Sequence, residues 1–63
     1  MNIKENAKYF SFLFDLQESG KTNMLGAGEY LQRQFGLDSK TSKEILLFWT
    51  TNYDSIALEL ANS

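Results

Sequence analysis

Sixty-three residues, 43% of them apolar, with five Phe, three Tyr, one Trp and no Pro, suit one small all-α domain (residues 1–63) with a single core. The absence of Cys and His excludes disulfides and the usual transition-metal ligands, so a domain expected to bury only about 60% of its unfolded surface depends on packing or on a partner. The net charge of −2 is uneven: residues 1–43 hold all six bases against five acids, whereas residues 44–63 hold Glu44, Asp54 and Glu59 alone, which suits neither nucleic acid nor anionic lipid.

The first helix is expected from residue 3 or 4 to 18. Ile3, Ala7, Phe10 and Phe14 repeat at helical steps, and so do Tyr9, Phe12, Leu13 and Leu16. Together the two stripes cover over about 200° of the helix surface, twice what a core-facing helix needs. Lys4, Lys8, Ser11, Asp15 and Glu18 make the remaining polar ridge. Gly20 then stands where a helix-ending glycine belongs.

A short second helix is expected from Asn23 or Met24 to Phe35, capped by Thr22 or Asn23, with Met24, Ala27, Leu31 and Phe35 inward. Gly26 and Gly28 lower its propensity; they either admit a close neighbour or mark a turn before a helix that starts near residue 27. Gly36 closes it.

The third helix begins between Asp38 and Thr41. Asp38 or Ser39 can cap it, and Thr41-Ser42-Lys43-Glu44 also reads as a capping box. Ile45, Trp49, Tyr53, Ile56 and Leu60 hold one phase to the end, which favours a single helix of about 20 residues. The alternative is a break near residue 52, since Thr50-Thr51-Asn52 is poor in helix formers and Asn52 or Asp54 can cap a separate last helix. The expected fold is thus a three-helix domain with a helix-turn-helix-like junction.

No sequence feature supports catalysis. Gly20-Lys21-Thr22 copies the end of a P-loop, but Asp15 stands where its first glycine is needed and a helix precedes it. Gly26-Ala27-Gly28 lacks the third glycine of a dinucleotide fingerprint. Carboxylates such as Asp15 and Glu18 lie on the solvated ridge, and no Ser, Thr or Lys sits in an activating context. The chain is expected not to be an enzyme and to take no cofactor and no metal. No apolar run reaches the roughly 18 residues of a membrane span, and Lys4, Glu5, Asn6 and Lys8 interrupt any signal-like stretch, so a cytoplasmic protein is expected.

Two surfaces remain. Residues 30–45 resemble a helix-turn-helix, with Leu31, Phe35, Gly36, Leu37 and Ile45 in the apolar and glycine positions. Gln32 departs from the usual small residue and Ser42 from the usual buried Val or Ile. Under that alternative Ser39, Lys40, Thr41 and Lys43 face the groove, although two bases beside an acidic flank are a weak footprint. The ordinary reading is a packed helical corner. The other surface is apolar: Tyr9, Phe12, Leu16, Leu47, Phe48 and Leu58 are candidate interface residues, and a two-fold homodimer through the surplus face of the first helix is expected.

The stretch from Ser19-Gly20-Lys21-Thr22-Asn23-Met24 through Gly26-Ala27, Tyr30-Leu31, Phe35-Gly36-Leu37 and Ile45-Leu46 to Trp49 resembles a pattern in short, uncharacterised phage-encoded all-helical proteins, particularly from phages of aquatic bacteria. The resemblance covers about two-thirds of the chain. It implies a viral accessory protein acting in the host cytoplasm, and it carries over no site residues. The function expected is a protein-interaction or self-assembling module; the alternative is a helix-turn-helix nucleic-acid binder.

Overall fold

The computed structural model describes residues 1–20 and 26–62. They form α1 (Ala7–Ser19), α2 (Ala27–Phe35), α3 (Ser39–Thr51) and α4 (Tyr53–Ala61), with no strand among the described residues. The all-helical class is as expected, but the count is four helices rather than three.

The extra boundary is a single residue. Asn52, at φ −118° and ψ 29°, lies outside the helical region. Its amide N–H donates to Phe48 O at 2.9 Å, and its side-chain Nδ2 donates to the same oxygen at 3.1 Å. The Asn52 carbonyl in turn accepts the Ile56 N–H at 2.9 Å and so starts α4. A side chain that bonds its own helix's carbonyl competes with the ladder, and Thr50 Oγ1, which donates to Leu47 O at 3.0 Å, does the same two residues earlier. The phase survives because the joint inserts no loop: Ile45, Trp49 and Ile56 are all buried.

α1 starts three to four residues later than expected. Residues 3–6 form a turn instead, pinned by Asn2 Oδ1 accepting the Glu5 N–H at 3.0 Å and by Asn6 Nδ2 donating to Asn2 O at 2.7 Å. It ends at Gly20, whose φ of 68° needs no Cβ to be accommodated. α2 begins at Ala27, the later of the two starts weighed, and Gly26 offers it no side-chain cap. The caps expected from Thr22 and Asn23, and the inward place expected for Met24, lie outside the described residues.

Gly36, at φ 66°, closes α2, and the Leu37 N–H reaches back to Gln32 O at 3.2 Å, the six-residue bond of a Schellman end. Asp38 then caps α3, its Oδ1 accepting the Thr41 N–H at 2.7 Å. The Thr41-to-Glu44 capping box is unused because the helix has already begun at Ser39. The Asp38 carboxyl is held below its usual value of 3.8, first by its hydrogen bond with the Thr41 side chain and then by the Thr41 amide. A depressed folded-state value means that this stabilisation is complete above the unfolded value and is lost as pH falls through the folded one. Asp38→Ala is therefore expected to lower the melting temperature at pH 7, and the gap from the parent chain should narrow on acidification below pH 3.8. A gap that stays unchanged in strong acid would mean that the carboxylate charge is not what Asp38 contributes.

The core takes Phe10, Leu13 and Leu16 from α1, Ala27 and Leu31 from α2, Ile45 and Trp49 from α3 and Ile56 from α4. α1 supplies three of these eight residues. On one side Tyr9 and Phe12 meet Phe35 of α2 edge-on at 4.8 and 5.5 Å between ring centroids. On the other, Phe14 meets Trp49 and Tyr53 at 5.3 and 5.0 Å, and Phe10 stacks on Phe48 at 5.8 Å. The wide apolar arc of α1 is therefore consumed within the chain, by α2 on one flank and α3–α4 on the other.

Gly28 does not serve a close approach. Among the described residues a Cβ built there meets only Leu46 Cδ2, at 3.9 Å, which is ordinary van der Waals contact. Gly28→Ala is accordingly expected to stabilise the domain by about 0.4–1 kcal/mol through the unfolded state and helix propensity. A destabilised Gly28→Ala in urea unfolding would show instead that α2 and α3 pack more tightly than this.

Candidate protein interface

The apolar candidates separate by exposure. Leu16 is in the core at 6% exposed, and Tyr9 and Phe12 are half-buried against Phe35, so this stripe does not face water as expected. Phe48 is half-buried on Phe10. Leu47 and Leu58 are the exposed members, at 68% and 65%. Each borders a shallow, open hollow. Leu47 shares one with Met1, Glu44, Phe48 and Asn52; Leu58 shares the other with Ile3, Lys4, Ser55 and Glu59. The two hollows thus flank residues 1–4, with a protruding leucine and a charged rim at each.

Met1, 54% exposed, lines the hollow at Leu47 and was not singled out by sequence reasoning. No helical period reaches it, since residues 1–6 precede α1. The total accessible surface, 4318 Å², is close to the roughly 4100 Å² expected of a compact 7.2 kDa monomer. Among the described residues the exposed large hydrophobics are Met1, Tyr30, Leu47 and Leu58, single positions and not a whole helix face.

The helix-turn-helix candidates occupy a second surface. α2 and α3 are joined by Gly36, Leu37 and Asp38, with Leu37 half-buried against the core. Ser42 is fully buried at the inward position, its hydroxyl satisfied by donation to Ser39 O at 3.1 Å. Ser39, Lys40, Thr41 and Lys43 are all exposed on the first turns of α3, together with Glu44. Thr41 is already engaged by Asp38 through its side chain and its amide. That leaves two lysines and one serine free to reach outward, beside two carboxylates.

Comparison with protein-family models, with curated proteins and with solved structures found no match. Among the described residues there is no group of three or more His, Cys, Asp or Glu placed to hold a metal ion, and no helix is long and apolar enough to cross a membrane.

Proposed function

We propose that this chain is a small self-assembling protein-interaction module whose contact face is the α3–α4 end, and that its first partner is a second copy. The exposure of Leu47 and Leu58, each beside a hollow that one or two of residues 1–4 help to line, carries the reading. Such a face is self-complementary under a two-fold axis: Leu47 of one copy enters the hollow at Leu58 of the other, and the reverse contact follows by symmetry. The same pairing sets Glu44 against Lys4 and Glu59, one opposite and one like charge, and the two copies together carry only −4. A few side chains fall short of the roughly 800 Å² per partner of a standard interface, so the pairing is weak and depends on concentration. The resemblance to phage-encoded proteins supports placing the module among viral accessory factors of the host cytoplasm.

Sedimentation equilibrium tests it. The parent chain should approach dimer mass by about 100 μM, and the Leu47→Ser/Leu58→Ser variant should stay monomeric and folded, since exposed substitutions usually shift stability within about 0.5 kcal/mol. A parent chain that is monomeric throughout would end the self-assembly reading.

The boundaries of α2 and α3 and the burial of Ser42 favour the nucleic-acid alternative as a second reading. Its charge does not. Each good bidentate base contact is worth about 1–3 kcal/mol, and Lys40 and Lys43 alone cannot reach ordinary specific affinity. No sequence-dependent duplex binding is expected in about 150 mM salt by fluorescence anisotropy. Sub-micromolar, sequence-dependent binding that Lys40→Ala or Lys43→Ala removes would reverse the order of the two readings.

A further inference from the structure

We infer that Asn2 and Asn6 are positioning residues for self-association: their side chains fix residues 1–4 as a wall of the hollow at Leu47 and of the hollow at Leu58. The inference rests on the self-association reading and names residues outside the contact on which that contact depends.

Leu47 stands on α3 and Leu58 on α4, but neither hollow is made by those helices alone. Met1 lines the hollow at Leu47, and Ile3 and Lys4 line the hollow at Leu58. These residues precede α1, so no long helical ladder holds them. A single capped turn does. Asn2 Oδ1 accepts the Glu5 N–H at 3.0 Å, the bond an N-cap makes three residues on. The Asn2 carbonyl accepts Asn6 Nδ2 at 2.7 Å and the Asn6 N–H at 3.2 Å. The other backbone bonds of the turn are longer, from the Asn6 N–H to Ile3 O at 3.3 Å and from the Ala7 N–H to Lys4 O at 3.4 Å. The two shortest bonds of the turn thus both use an asparagine side chain.

Packing alone does not set this segment. Ile3 is half-buried against the core, whereas Met1, Asn2, Lys4 and Glu5 are exposed. Ile3 anchors a point, and the asparagine bonds set the direction in which Met1 and Lys4 leave it. Neither Asn2 nor Asn6 lines a hollow, so their effect on pairing passes through the turn. In the two-fold pairing each copy presents a hollow and enters one, so the turn must be formed in both chains. The dissociation constant then scales as the inverse square of the fraction of chains that hold the turn. A variant in which about a third of the chains hold it pairs about tenfold more weakly.

The test combines sedimentation equilibrium with backbone amide order parameters. Asn2→Ala/Asn6→Ala should raise the dimer dissociation constant about tenfold and lower the order parameters of residues 3–5, while the melt stays cooperative. Asn2→Ser keeps an oxygen that accepts the Glu5 N–H and should pair like the parent chain. An unchanged dissociation constant in Asn2→Ala/Asn6→Ala, whatever its order parameters, overturns the inference and leaves self-assembly standing. So does Asn2→Ser pairing as weakly as the double alanine variant. A parent chain that stays monomeric to about 1 mM overturns the self-association reading and the inference together.

Discussion

Phe10→Asp is expected to leave the chain unfolded at 25 °C, with loss of the helical signal in far-ultraviolet circular dichroism and of a cooperative melt. Phe10 is fully buried at the centre of the core and stacks on Phe48. Truncating a buried Phe to Ala already costs about 3–5 kcal/mol, and a carboxylate with no partner adds the cost of burying a charge. A domain of this length has roughly 3–9 kcal/mol to lose. Phe12→Asp is the control. Phe12 is half-buried and meets Phe35 edge-on, so its loss should weaken the melt without abolishing it. If the two variants behaved the other way round, the core and outer sides of α1 would be interchanged.

Trp49→Ala should cost about 3–5 kcal/mol in urea unfolding followed by circular dichroism, whereas Trp49→Phe should cost less than half of that. Trp49 is 1% exposed and lies between Phe14 and Tyr53, both at 5.3 Å between ring centroids. Its Nε1 is buried and finds no acceptor among the described residues. A buried donor left unpaired costs about 1–3 kcal/mol, so a Phe that keeps a ring in the site and removes the donor offsets part of the lost volume. Equal losses for the two variants would mean that the indole N–H is satisfied in solution and that the ring contacts contribute little.

Helix positions were legible because their signals are local. Gly20, Gly36 and Asp38 act at their own positions in the chain, and Ile45, Trp49 and Ile56 announce a buried stripe by spacing alone. The break at Asn52 was half legible. Poor helix formers marked it, but phase cannot detect a joint that adds no residues. The surplus apolar arc of α1 was read correctly as an arc and wrongly as free surface. Periodicity counts the apolar residues on a helix but not the neighbours that flank it, and α1 has one on each side. Leu47 and Leu58 were legible as residues off the inward stripe. Their hollows were not, because these are formed with residues 1–4, which are distant in sequence and carry no period.

The central claim is that the apolar surface left by this fold lies at Leu47 and Leu58 and is covered by a second copy. Methyl relaxation enhancement by a soluble gadolinium chelate, followed from dilute to about millimolar protein, tests it most directly. Leu47 and Leu58 methyls should broaden strongly in dilute solution and become protected as concentration rises, while Leu13, Leu16 and Leu31 stay protected throughout. Broadening at Leu16 in dilute solution, or broadening at Leu47 and Leu58 that does not change with concentration, would contradict the account.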